Sequence, residues 1–280
     1  LGNKVEIVWR DSQSKPDVAT KNVTELIDSE GAERLVPQVT AAITEQAARI
    51  LHTSNIYHIR NQETLADLLC EQSGMEQVFF SNSGAEANEA AIKLARLFGH
   101  NNGIDKAEIV VMQNSFHGRT MATLSASGNR KVQAGFEPLV SGFVRAPYND
   151  IDALKAIADN NRNVVAVMLE PVQGEGGINI PDPGYLSAIR RICDDNNWLM
   201  MLDEIQTGMA RSGRMFAFQH EDILPDVLTL AKALGNGIPI GACLAAGKAR
   251  SLFKPGNHGS TFGGNPLACR VASAVSPPIG

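Results

Sequence analysis

An α/β protein built on a mostly parallel sheet is predicted by three features of the sequence. From about residue 40, helix-like segments alternate with short β-branched runs. The 280 residues are 44% hydrophobic and 20% charged, enough for a large core or two domains. Polar residues also follow the apolar runs directly, and open parallel sheets bind ligands just outside the carboxyl ends of their strands. A net charge of −5 without a basic stripe argues against a nucleic-acid or anionic-membrane surface, so a small-molecule site is the expectation.

The clearest unit is QVFFSNSGAEANEAAIKLARLFG. An apolar run at 78–80 is followed by a Ser/Asn/Gly turn, then Ala87, Ala90, Ala91, Leu94 and Leu97 at helical spacing with Gly99 as a stop. Further strands are expected at 108–112, 164–169, 198–202, 227–230 and 238–246, and Tyr185, Leu186, Ile189, Ile192 and Cys193 mark an amphipathic helix. No internal repeat and no stretch of about 18 apolar residues occurs. The N-terminal LGNKVEIVWRDSQSKPD has no apolar run of the signal-peptide kind. The four cysteines form no C-x-x-C pair and read as reduced core thiols, which points to a cytoplasmic protein.

Each polar cluster has a chemical and a plain reading. In SNSGAEAN, Ser83, Gly84 and Ala85 offer a hydroxyl and backbone amides at a helix N-terminus, which suits a phosphate; an ordinary N-cap with Glu86 in the first turn suits the residues equally. In WLMMLDEIQTG, Asp203 and Glu204 end an apolar run where an uncompensated carboxylate is costly. Asp203 is expected to hold a ligand and have a cationic partner, and Glu204 to be a solvated strand end. Lys232 stands in DVLTLAKALGNGIPIG, read as a buried strand entering a glycine-rich turn, where an unused ammonium costs several kcal/mol. Alone it reads as a snorkelling lysine; with Asp203 on the same crevice it suits pyridoxal phosphate. The lysine would form a Schiff base with the aldehyde while the carboxylate keeps the pyridine nitrogen protonated. NSFHGRT supplies Phe116 to stack on a flat ring and Arg119 to grip a carboxylate, with His117 read as a turn histidine. Glu170 and Glu175 in LEPVQGEGG read equally as a solvated loop. The six histidines form no metal-binding spacing, so no metal is expected, and GNGIPIG departs from the dinucleotide fingerprint.

Together, SNSGAEANEAAIKLAR, FHGRT, LEPVQGEGG, LDEIQTGMARSG, PDVLTLAKALGNGIPIGA and HGSTFGGNPLAC resemble the class III pyridoxal-phosphate aminotransferases over about residues 40–272, nearest to those acting on acetylornithine. The resemblance implies the type I pyridoxal-phosphate fold in a homodimer. Residues 36–272 would form the large cofactor domain. Residues 1–35 differ from the family's usual N-terminal segment, and 273–280 would be a truncated or altered end lacking most of the small domain and its carboxylate-binding arginine. It further implies that Lys232 carries the cofactor, Asp203 meets the pyridine nitrogen and Gln206 the phenolic oxygen. Phe116 and Ile205 would flank the ring; Ser83, Gly84 and Ala85 would hold the phosphate, completed by Thr261 of the neighbouring subunit. Arg119 would clamp the substrate α-carboxylate, and Glu175 would move between substrates of different charge. The implied reaction transfers the distal amino group of N-acetylornithine, or a related ω-amine, to 2-oxoglutarate, as in arginine biosynthesis. Ornithine, succinylornithine and 4-aminobutyrate are the near alternatives as donors, and a catalytically impaired cofactor-binding or scaffold protein is the alternative of another class.

Overall fold

The structure, a computed structural model, describes residues 35–276; the segment expected at 1–35 and the last four residues fall almost wholly outside them. Seven strands form one mixed sheet: β1 (Gln77–Ser81), β2 (Glu108–Met112), β3 (Phe143–Ala146), β4 (Val164–Leu169), β5 (Leu199–Asp203), β6 (Val227–Leu230) and β7 (Gly241–Ala245), in the spatial order β1-β7-β6-β5-β4-β2-β3. β7 runs antiparallel to both β1 and β6 and every other pairing is parallel. The carboxyl ends of β1, β2, β4, β5 and β6 therefore share one edge, with the start of β7 among them.

All six residues of β4 are buried, as expected of a central strand covered on both faces. The side-chain alternation of β2 divides the core. Ile109 and Val111 join the cluster beneath α3 (Gly84–Asn101), and Val110 and Met112 join the one on the opposite face. That second layer includes α6 (Ile151–Asn160) and α7 (Tyr185–Asp195), whose Tyr185, Leu186, Ile189, Ile192 and Cys193 are all buried as the periodicity predicts. At the sheet's β1 side, α1 (Leu35–Ala47) and α2 (Arg60–Ser73) pack on α8 (Pro266–Val275). Two short helices, α4 (Met121–Ala126) and α5 (Arg130–Gln133), follow β2.

Several expected boundaries move. Gly99 does not stop α3, which runs on to Asn101; a Cβ at Gly99 would lie 2.7 Å from Ala107 and from Val165, so the glycine serves close helix–sheet packing. The strand expected over 238–246 shortens to β7 because Ile238 closes a turn onto Gly235. The 198–202 run shifts by one, making Asp203 the last residue of β5, paired with Thr229. β3 was not foreseen: four residues at a sheet edge, three of them half-buried, leave too short a pattern. Helix α8 continues through the boundary expected at 272, as far as Val275.

Candidate functional site

At the shared strand edge lies a cavity of about 660 Å³. Ser83, Gly84, Ala85, Phe116, Arg119, Glu175, Asp203, Ile205, Gln206 and Lys232 all line it, together with His117 and Glu170.

One end is the N-terminus of α3. Ser83 is its N-cap, its hydroxyl accepting the Glu86 N–H at 3.2 Å, so the N-cap reading holds while the same residues face the cavity. The first-turn amides of Gly84 and Ala85 have no intrahelical acceptor, and the helix dipole is positive there. A Cβ at Gly84 would stand 2.6 Å from the Ile205 side chain, and one at Gly241 2.2 Å from the Ser83 carbonyl. Glycine at both positions is what lets the turn, Ile205 and β7 approach so closely.

The floor is Asp203, only 4% exposed. Its Oδ2 accepts from Asn88 Nδ2 and from His117 Nδ1, both at 2.8 Å, and its Oδ1 from the Ile205 N–H at 3.1 Å. Asn88 is fixed in turn: its Oδ1 accepts from Thr229 Oγ1 and its Nδ2 also donates to the His117 carbonyl, each at 2.8 Å. The side chain that partners Asp203 is thus a histidine. Burial alone would lower the His117 pKa, but the hydrogen bond and charge of Asp203, with Glu170, outweigh it and the pKa is raised. His117 is therefore a buried site residue, not a turn histidine. Asn88 carried no sequence signal strong enough to name, although it stands one helical turn beyond Gly84.

Lys232 corrects the expectation of a buried ammonium. β6 ends at Leu230, and Lys232 opens a short 3₁₀ turn with φ of 47°, a left-handed conformation costly for a lysine. Successive turns from Ala231 to Ile238 raise the side chain into the cavity, where it is exposed and forms no hydrogen bond or ion pair among the described residues. Arg119 is also exposed, its guanidinium 5.6 Å from the centroid of the half-buried Phe116 ring. Glu175 and Gln206 are exposed on facing loops.

Two acids differ from their plain readings. Glu170 is not on a solvated loop: it is buried, and burial pushes its pKa up to about 7. Glu204 is no solvated strand end. It points away from the cavity and accepts from Ala217 N, Phe218 N and Thr207 Oγ1 at 2.7–3.1 Å; burial likewise raises its pKa to about 7. Thr261 does not face the main cavity. It lines an adjoining one of about 360 Å³, with Asn82 as a shared wall. No cluster of histidine, cysteine and acid that could hold a metal occurs among the described residues.

Comparison with known proteins shows the family. Residues 34–276 match the family model for Aminotransferase class-III. An acetylornithine aminotransferase of Nitrosomonas europaea is 64% identical over 236 residues, covering 84% of this chain and 60% of that protein. Among solved structures, an ornithine aminotransferase of Toxoplasma gondii, reported with partial occupancy of PLP at its active site, superposes with a TM-score of 0.82 at 38% identity, over 86% of this chain and 58% of that one. An acetylornithine aminotransferase of Elizabethkingia anophelis gives 0.74 at 38%, over 85% and 57%. The chain thus spans about 60% of the length of the curated relative, and by sequence and by fold it belongs to the class III aminotransferase family.

Proposed function

We propose that this chain forms the cofactor-binding part of a pyridoxal-phosphate-dependent aminotransferase that takes the distal amino group of N-acetylornithine and passes it to 2-oxoglutarate. The observation that carries the reading is one cavity holding a free lysine amine, a buried carboxylate fixed by three donors and a helix N-terminus. The donor set fits the group. Ser83 and the Gly84 and Ala85 amides suit its phosphate, Phe116 and Ile205 supply apolar walls for its ring, and Asp203 is an acceptor for a protonated ring nitrogen. When bound, pyridoxal phosphate supplies an aldehyde that captures amines and a pyridine ring that accepts electron density from the adjacent carbon.

The chain's own residues then divide the work. Asp203, held in place by Asn88 and His117, keeps the proton on the ring nitrogen without having to reorient. Gln206, which lines the cavity, would meet the phenolic oxygen. Lys232 Nζ would hold the cofactor's aldehyde, and as a free amine it would take a proton from the carbon bearing the reacting amine and deliver one to the carbon of that aldehyde. Arg119 holds the donor α-carboxylate, and Glu175 adjusts between donor and acceptor of different charge. A second copy of the chain would supply Thr261 to complete the phosphate site. That accords with Thr261 lying outside its own chain's cavity, and with the exposed apolar side chains of Ile56, Tyr57 and Phe262. The four cysteines are free and three are buried, which fits a reducing cytoplasmic setting. No helix among the described residues is long and apolar enough to cross a membrane.

Borohydride treatment of the protein with pyridoxal phosphate is expected to fix the cofactor on Lys232, as read by peptide mass mapping. Its recovery on another lysine overturns the assignment. Turnover of N-acetylornithine, succinylornithine, ornithine and 4-aminobutyrate with 2-oxoglutarate then ranks the donors, with N-acetylornithine expected first.

A further inference from the structure

We infer that Glu170 is a positioning residue whose carboxylate ties the loop carrying Phe116 to the loop carrying Glu175, and so sets the frame of one side of the cavity. The inference deepens the proposed transaminase reading and rests on it for its consequence in catalysis.

Glu170 directly follows β4 and is 4% exposed, yet it lines the cavity. Its Oε2 accepts the Phe116 N–H at 3.0 Å and its Oε1 the Gly174 N–H at 3.4 Å. One carboxylate therefore joins the segment after β2 to the segment after β4. The same two segments are laced nearby: Gln173 Nε2 donates to the Gln113 carbonyl at 2.8 Å, and a Cβ at Gly176 would stand 2.2 Å from the Asn114 carbonyl oxygen. Gly174 also abuts the Gln206 side chain, where an added Cβ would come within 3.3 Å. Phe116, Gln206 and Glu175 are thus placed by loops that converge on Glu170.

No lysine or arginine pairs with this acid among the described residues. The groups that act on it are His117, whose charge favours its ionised form, Asp203, which opposes it, and the Tyr148 hydroxyl, which donates to the Glu170 backbone carbonyl. Arg119, Glu175 and Lys232 line the same cavity. Burial is the largest influence and holds the carboxyl near 7. Ionised, Glu170 can accept both amides; protonated, one oxygen becomes a donor and one of the two contacts weakens. Burial outweighs those contacts, so holding the ionised carboxylate in the closed frame becomes costlier, and the frame loosens, as pH rises through neutrality.

The test is amide hydrogen exchange read by mass spectrometry on the full chain, without added cofactor, for wild type and Glu170→Gln. In the variant, one side-chain oxygen becomes an NH₂ that faces an amide donor. Peptides spanning 113–118 and 172–177 are expected to exchange about five- to tenfold faster together, the scale of one lost hydrogen bond, with β4 and β5 unchanged. In wild type, protection of both peptides, corrected for intrinsic exchange, is expected to fall together between about pH 6 and 8, and this fall does not depend on the variant folding. With cofactor and donor supplied, Glu170→Gln should raise donor KM more than it lowers kcat, because the walls are displaced while Lys232 and Asp203 are untouched. Exchange that changes in one loop only, that spreads to β4 and β5, or that shows no common pH step in wild type overturns the inference. Coupled exchange in a protein that never takes up the cofactor leaves the positioning role standing and removes the transaminase reading instead.

Discussion

The floor and the rim of the cavity are built on opposite terms. On the floor, Asp203, His117, Asn88 and Thr229 are buried and occupy one another's donors and acceptors. On the rim, Lys232, Arg119, Glu175 and Gln206 are exposed, and Lys232 has no polar partner among the described residues. A group that must hold one charge in one place gains from a preset cage that needs no reorganisation during reaction. A group that must release one molecule and meet another gains from being unpaired. The contrast separates what is positioned by the protein from what is positioned by the substrate.

The floor should break hardest. Asp203→Asn keeps the size but removes the charge that fixes the ring proton, and it leaves His117 without the partner that raises its pKa. Turnover is expected to fall by about two to three orders of magnitude while part of the cofactor is retained. Steady-state rates beside cofactor absorbance measure both, and near-normal turnover would mean that the floor is only packing.

The rim should yield a smaller and more selective loss. Arg119→Ala removes a guanidinium that rests beside Phe116 and leaves the α3 N-terminus untouched. The lost charge-assisted contact, about 1.5–3 kcal/mol, corresponds to a fall of roughly 10- to 150-fold in donor kcat/KM, with cofactor affinity nearly unchanged. Equal losses in both would move Arg119 from rim to floor.

The same contrast decides what was legible in the sequence. Rim residues and the helix N-terminus stand in short polar runs directly after apolar strands, so Ser83, Gly84, Arg119 and Lys232 could be picked out by position. The sheet was legible for the same reason, apart from the short edge strand β3. The floor was half hidden. Asp203 could be named because an acid ending an apolar run is costly, but its partners are set by tertiary packing: Asn88 lies on α3 and Thr229 on the neighbouring strand β6. Burial was the harder quantity to read: Lys232 proved exposed although an apolar run precedes it, and Glu204, read as a solvated strand end, proved buried.

Asp203 and Glu204 carry the comparison down to adjacent residues, since the strand end turns one acid to the cavity and the other away from it. Glu204 anchors Ala217 and Phe218, and burial raises its carboxyl to about 7 despite the two amides and the Thr207 hydroxyl that favour its charge. In the unfolded chain a glutamate titrates near 4.3. Between those values the folded protein holds more protons than the unfolded one, so stability falls as pH rises through that window and is lowest above it. The gap corresponds to at most about 4 kcal/mol for one group, and Glu170 acts in the same direction. Glu204→Gln removes this titration without changing the side chain's size. Denaturant midpoints measured from about pH 5 to 8 are therefore expected to decline in wild type and to decline less steeply in the variant, whatever its absolute stability. Parallel declines would mean that its three donors keep Glu204 ionised throughout, which would make it a fixed charge like Asp203 and erase the distinction between the two neighbours.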